Sequence, residues 1–136
     1  MTSAIALFWA VLFWMLQLSP AKDHTKLAWA IATQAQSRTE AAVMTAVAFR
    51  ESSFQTGAVG DSGHSLCAFQ IYDGPKATLE DVDLCTSIAV RMLRDSRRMD
   101  KDNPLAFYAR GPRFKSLEAQ RISRDRMALA ARLAKQ

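Results

Sequence analysis

Cysteine and histidine, two of the residues that most often hold metal ions, are scarce in this chain. Only two cysteines and two histidines occur among 136 residues, and His24 and His64 lie far apart. The sequence contains no Cys-x-x-Cys or His-x-x-x-His arrangement, the spacings typical of zinc ligands. It therefore predicts no metal site and no other cofactor.

Repeats and low-complexity tracts are also absent, which argues against a solenoid or a disordered chain. Once the N-terminal segment is set aside, about 115 residues remain, enough for one helical core but not for two domains. Apolar periodicity and turn signals predict helices over residues 26–36, 38–52, 84–99, 104–108 and 116–135. We therefore expect one mainly α domain with a small loop or hairpin region.

Charged side chains are missing from the first 21 residues. Residues 4–18 form an apolar run, and Ser19 and Ala21 place small residues before a possible cut ahead of Lys22. The run is shorter than the roughly 20 residues that span a bilayer. In order of preference, it is a cleaved signal peptide, an uncleaved membrane anchor or a buried core helix. The first two predict a signal or anchor over residues 1–21, an exported domain over residues 22–136, and a periplasmic or cell-envelope location.

An even number of cysteines fits an oxidising compartment. Cys85 shares one face of the predicted 84–99 helix with Ile88, Ala89 and Met92, so it should point at the core. A disulfide from Cys85 to Cys67 would hold a glycine-rich loop against this helix. Two buried reduced cysteines are the alternative.

The helix over residues 38–52 begins with a capping box, because Ser37 is followed three residues later by Glu40. One face of this helix has apolar residues at helical spacing and ends in a carboxylate: Met44, Val47, Ala48 and Glu51.

Glu51 therefore continues an apolar stripe. A carboxylate taken out of water without a cationic partner has a pKa raised toward neutrality, so it could donate a proton at working pH. The alternative is a glutamate that is hydrated, or paired with Arg50 or another arginine.

Four short motifs follow one another: Glu51-Ser52-Ser53-Phe54, Gly60 to Gly63, Cys67-Ala68-Phe69-Gln70 and Phe107-Tyr108-Ala109-Arg110-Gly111. Their patterns are Glu-Ser-x-Phe, Gly-x-x-Gly, small-x-x-Gln and aromatic-Tyr-x-x-Gly. In this order, over about residues 27–111, they resemble the lysozyme-like soluble lytic transglycosylases and goose-type lysozymes. Residues 65–71 are also similar to a segment of invertebrate-type lysozymes.

This resemblance implies an α+β lysozyme-like fold in which the loop and hairpin region lines a glycan cleft. It implies Glu51 as the general acid/base, with Gln70 and Tyr108 lining the cleft. Candidate substrate contacts on these motifs are Ser53, Asp61, Ser65, Phe69, Gln70 and Tyr108. Phe69 and Tyr108 are equally typical of core packing, and Asp61 of turn stabilisation.

The chain departs from the family pattern at two positions. Cys67 stands where the family usually has glycine. Ala109 stands where it commonly has asparagine, so one hydrogen bond to the substrate or transition state would be missing. A catalytically silent wall-binding or assembly protein of the same fold is therefore an alternative.

The expected activity is that of a peptidoglycan lytic transglycosylase, which cleaves the β-1,4 bond between N-acetylmuramic acid and N-acetylglucosamine. A muramidase that uses water is an alternative, for which Asp61 is the only acidic residue in the loop. The net charge of +5 favours an anionic polymer. Peptidoglycan is preferred to nucleic acid because no nucleic-acid-binding motif occurs, although a basic nucleic-acid or membrane-surface binder is a further alternative. Membrane anchoring through residues 4–18 is possible, and we expect a monomer.

Overall fold

Six α-helices and a small antiparallel sheet make up residues 3–136, the part of the chain that the computed structural model describes. The helices are α1 (Ala4–Leu18), α2 (Thr25–Gln34), α3 (Arg38–Ser52), α4 (Val82–Met99), α5 (Ala106–Arg110) and α6 (Leu117–Ala134). The strands are β1 (Val59–Gly60), β2 (Ser65–Leu66) and β3 (Ile71–Tyr72), in the order β1-β2-β3. The predicted mainly α class with a small hairpin region is confirmed.

The start of α3 follows the predicted capping box in part. The Ser37 hydroxyl accepts from the Glu40 N–H at 3.1 Å. The Glu40 carboxylate turns back to the N–H of Gln36 at 2.9 Å, one residue before the position that the motif predicts. Both contacts satisfy N–H groups that lack a partner inside the helix. Helix α3 therefore begins where the sequence predicts.

Helix α3 lies at the centre of the core and packs against α1 and α6. Seven of its residues are buried, and most of them are small: Ala41, Ala42, Met44, Thr45, Ala46, Val47 and Ala48. Small side chains let neighbouring helices approach closely on several sides. The Thr45 hydroxyl donates to the Ala41 carbonyl at 2.8 Å, so the one polar group in this stretch has a partner.

The N-terminal helix α1 packs into the same core, against α2 and α3. Its buried residues are Leu7, Phe8, Val11, Trp14 and Met15. A buried core helix is one of the three alternatives for residues 4–18. Cleavage ahead of Lys22 stays a prediction. Within residues 3–136, no helix combines the length and the apolar composition needed to cross a bilayer.

The predicted disulfide is present between Cys67 and Cys85, whose Cα atoms are 6.4 Å apart. Cys85 is buried in α4, facing the core as its helical position predicts. Cys67 has φ of 65°, in the left-handed region that favours glycine. Glycine, which the lytic transglycosylases that this segment resembles usually have here, would suit this backbone conformation. In this chain a cysteine adopts the conformation and forms the disulfide.

Candidate functional site

A cavity of about 950 Å³ opens between the end of α3, the sheet, α5 and α6. Its polar lining comes from five separate parts of the chain, α4 among them: Glu51, Asp61, Ser65, Gln70, Asp95, Tyr108, Arg110, Arg113, Glu118 and Arg126. Aromatic and apolar side chains such as Tyr72 and Phe107 complete the walls. A cavity of this size, with polar groups converging from several elements, is typical of a binding or active site.

Five of the residues predicted from sequence line this cavity: Glu51, Asp61, Ser65, Gln70 and Tyr108. The structure does not bring Ser53 and Phe69 to it. Ser53 caps the C-terminus of α3 with φ of 53°, and its carbonyl accepts from the Lys22 ammonium at 3.1 Å. Phe69 has no exposed surface and packs in the hydrophobic core, which is the packing alternative for this residue.

Glu51 lies in the last turn of α3, and its carboxylate is paired with an arginine of α6. Arg126 Nη1 donates to Glu51 Oε2 at 2.6 Å, and the side chains are 12% and 20% exposed, respectively. The expectation of a buried carboxylate without a cationic partner is therefore wrong. Arg50 is not the partner, because it pairs with Asp125 at 3.0 Å. Pairing with another arginine was the alternative, and it describes the observed geometry.

A serine hydroxyl holds the end of α3 against the loop that follows the sheet's second strand. Ser52 Oγ lies 2.7 Å from the Ala68 carbonyl and 3.2 Å from the Ala48 carbonyl, so its single proton is shared between them. This contact fixes the position of Glu51 relative to the 67–70 segment. The disulfide at Cys67 holds the same segment from the side of α4.

Tyr108 lines the cavity and makes two hydrogen bonds within the protein. Its hydroxyl donates to the Phe69 carbonyl at 2.6 Å, and its N–H donates to Ser96 Oγ at 2.9 Å. Burial raises the pKa of the Tyr108 hydroxyl well above its ordinary range, and the negative charge of Glu51 adds to this effect. The hydroxyl is therefore neutral and committed to the backbone, and its oxygen can still accept a hydrogen bond from a ligand.

Asp61 and Ser65 form a polar pair on the sheet side of the cavity. The Ser65 hydroxyl donates to Asp61 Oδ2 at 2.5 Å. The Asp61 carbonyl also accepts from the N–H of His64 at 3.2 Å, which closes a turn. Asp61 therefore shapes the loop, as the turn alternative predicts, and also faces the cavity.

Gln70 packs its side-chain amide against the backbone of the glycine-rich loop. Its Nε2 donates to the Cys67 carbonyl at 3.0 Å and to the Ala58 carbonyl at 3.3 Å. A Cβ placed on Gly60 would lie 2.4 Å from Gln70 Oε1, a distance that real side chains do not adopt. A side chain at position 60 would therefore displace the Gln70 amide from its two hydrogen bonds.

Three arginines of the cavity were missed from the sequence: Arg110, Arg113 and Arg126. The signal for Arg126 is its helical position, because it shares one side of α6 with Ile122, Leu129 and Leu133. Arg110 donates to Glu118 at 2.8 Å. This hydrogen bond raises the pKa of Arg110, and the negative charges of Glu51 and Asp61 add to the effect, so positive charge is secured at the cavity wall.

The described part of the chain contains no group of three or more His, Cys, Asp or Glu side chains placed to hold a metal ion. Comparison of the chain with protein-family models, with curated proteins and with solved structures found no match.

Proposed function

We propose that the protein is an exported lytic transglycosylase that cleaves the glycan strands of peptidoglycan, with Glu51 as the general acid/base. The observation that supports this best is the meeting of five predicted site residues in one cavity, although they come from separate segments of the chain. The cavity has room for a short oligosaccharide, and its hydroxyl, amide and carboxylate groups suit sugar hydroxyls. The disulfide is in keeping with export.

Glu51 would act through the carboxylate oxygen that Arg126 does not hold. Arg126 engages Oε2, and Oε1 forms no hydrogen bond with any residue in the range 3–136. Oε1 would carry the proton to the leaving glycosidic oxygen as the bond to the anomeric carbon breaks. The same oxygen would then take the proton of a hydroxyl of the sugar itself, as that hydroxyl closes an anhydro ring. One carboxylate therefore suffices for both steps.

A second candidate is a glycan-binding wall protein without turnover. The Glu51–Arg126 pair favours it, because the guanidinium already occupies one oxygen of the carboxylate that would have to transfer the proton. The missing asparagine at Ala109 supports the same candidate. Under the transglycosylase proposal, Arg126 keeps Oε2 while Oε1 transfers the proton.

Purified full-length protein incubated with peptidoglycan separates the two candidates when the released muropeptides are analysed by mass. Glu51→Gln keeps the side chain's shape but cannot donate and recover a proton. We expect anhydro-muropeptides from the unaltered protein and a loss in rate near the upper end of the typical 10²- to 10⁴-fold range in the variant. Sedimentation with insoluble peptidoglycan should show that the variant still binds.

Asp125→Asn is the matched control, because this carboxylate also pairs with an arginine but lies outside the cavity. It should leave the cleavage rate unchanged. Binding without any released muropeptide would select the wall-binding protein. A well-folded Glu51→Gln protein with unaltered cleavage would place the acid elsewhere.

A further inference from the structure

Helix α1 has two faces of different character, and one of them is uncovered. Ile5, Trp9, Phe13 and Leu16 are 63%, 63%, 51% and 43% exposed. Their spacing of four, four and three residues places them on one side of the helix. The opposite side is buried against α2 and α3. Large apolar side chains grouped in this way on a surface mark an interaction site.

The uncovered face continues onto α2 through a cluster of aromatic rings. Phe8 stacks on Trp29 with ring centres 4.1 Å apart, and its edge meets Trp9 at 5.2 Å. Trp29 is itself 39% exposed. We call Ile5, Trp9, Phe13, Leu16 and Trp29 the α1 face. Tryptophan is enriched where a protein meets the boundary between lipid and water.

Of the cations near α1 in the sequence, only Lys26 lies beside the α1 face, because the Lys22 ammonium donates to the Ser53 carbonyl and the Arg38 guanidinium lies over the buried ring of Trp14. Residues 3–38 contain the cations Lys22, Lys26 and Arg38 and one acid, Asp23. Lys26 is exposed and lies one helical turn before Trp29, on the same side of α2. The whole chain has a net charge of +5. Positive charge beside an apolar face complements a membrane surface with anionic headgroups.

We propose that the α1 face binds the surface of an anionic lipid bilayer, with α1 lying parallel to the membrane plane. The protein core already occupies the buried side of α1, so lipid can contact the helix from one side only. The indole and phenyl rings would enter the acyl boundary, while Lys26 stays among the headgroups.

Vesicle flotation of the full-length protein tests this proposal. Vesicles of phosphatidylcholine alone are compared with vesicles of equal parts phosphatidylcholine and phosphatidylglycerol. We expect binding to the anionic vesicles that weakens with added salt, together with a blue shift of the tryptophan fluorescence. The double variant Trp9→Ser with Phe13→Ser should bind at least roughly tenfold more weakly, because two rings no longer leave water.

Leu117→Ser is the matched control, because Leu117 is 77% exposed but lies on α6. Its binding should equal that of the unaltered protein, and thermal unfolding should show that all variants are folded. Equal vesicle binding by the double variant would overturn the proposal. A dimer in sedimentation velocity that the double variant abolishes would also overturn it, if the unaltered protein does not bind vesicles. The same holds if protein extracted from the envelope has an intact mass that begins at Lys22.

Discussion

At the scale of single residues, Asp61 is the position at which the proposed transglycosylase and the alternative muramidase lead to different predictions. Its carboxylate faces the cavity and accepts a hydrogen bond from Ser65, so it has a structural partner already. If Asp61 only shapes the loop, Asp61→Asn should retain most of the activity, and the products should remain anhydro sugars. An amide oxygen can accept the hydrogen bond from the Ser65 hydroxyl as the carboxylate does.

Mass analysis of the released muropeptides measures this outcome. Asp73→Asn is the control, since Asp73 is an exposed loop acid that pairs with His64 and lies outside the cavity. Products with reducing ends, lost specifically in Asp61→Asn, would instead identify a muramidase in which Asp61 positions water.

The position of Glu51 could be predicted from sequence, but its partner could not. Helical periodicity places Glu51 on the apolar side of α3, where it is found. Arg126 lies 75 residues further on, and it meets Glu51 only because α3 packs against α6. Local spacing carries no information about which helices become neighbours. The nearer arginine, Arg50, was the natural candidate, yet it points to Asp125.

Phe69 shows a second reason why site residues are mispredicted. Phe69 and Gln70 belong to one short motif, and the motif alone does not say which of the two side chains faces the cavity. Here Cys67 and Gln70 both have positive φ, 65° and 51°, which breaks any regular alternation. The result is a phenyl ring in the core beside an amide at the cavity.

At the scale of elements, α1 is expected to stabilise the domain through Trp14. This side chain has no exposed surface, and the Arg38 guanidinium lies 5.0 Å above its ring. Trp14→Ala should lower the free energy of unfolding by about 3–5 kcal/mol, because it removes a large buried ring and leaves a cavity. Urea unfolding of the full-length protein measures the change.

Trp9→Ala provides the comparison within the same helix. Trp9 is 63% exposed, so its removal should change the free energy of unfolding by no more than about 0.5 kcal/mol. Equal effects of the two substitutions would show that α1 does not pack on the core in solution.

The disulfide offers a second test on this scale, because it joins a loop to α4 at a residue with strained backbone. Replacing both cysteines by alanine should cost about 3 kcal/mol, the typical value for a loop of this length. The variant with Cys67→Gly and Cys85→Ala should be more stable than the double alanine variant by about 1 kcal/mol, since glycine adopts φ of 65° without a steric penalty.

Urea unfolding under non-oxidising conditions compares these two variants directly. If the glycine variant is no more stable than the alanine variant, the left-handed conformation at position 67 costs nothing. The pairing itself was predictable from the core-facing position of Cys85. The backbone conformation of Cys67 was not, because φ depends on the turn that the whole loop forms.

Helix α1 also shows where sequence reasoning at this scale is ambiguous. An uncharged apolar run of this length is typical of a signal peptide and equally of a helix in a protein core. Hydropathy alone does not separate them, because both need apolar residues on most sides. The distinguishing contacts, such as Phe8 on Trp29, are made only once α1 and α2 pack together.

At the scale of the whole molecule, the ion pair between Glu40 of α3 and Arg94 of α4 should make stability depend on pH. The two side chains meet at 2.7 Å and are mostly buried. Burial opposes ionisation of Glu40, but hydrogen bonds from Arg94 and from the Gln36 N–H outweigh it and hold the pKa of Glu40 below its ordinary 4.5.

Because the pKa of Glu40 is lower in the folded than in the unfolded chain, the stabilisation is complete above about pH 4.5. It is lost as the pH falls through the folded pKa, since the unfolded chain binds the proton more readily. Glu40→Gln should therefore cost roughly 1 kcal/mol at neutral pH and flatten the acid side of the stability profile. Urea unfolding at several pH values measures this.

Glu80→Gln is the control for the pH series, because Glu80 is exposed. Its acid profile should follow that of the unaltered protein. If the free energy of unfolding of Glu40→Gln runs parallel to that of the control at every pH, the contact with Arg94 does not make folding depend on protonation of Glu40.

The close approach of Gln70 to Gly60 constrains how this sequence can diverge. A side chain at position 60 would displace the glutamine amide, which would lose its hydrogen bonds to the Cys67 and Ala58 carbonyls. Shortening residue 70 first would open the space and make position 60 free to vary. A Cβ placed on Gly57 would meet no atom within 4 Å, so position 57 carries no such dependence. Substitution at position 60 should therefore disturb the loop less after residue 70 has been shortened than before.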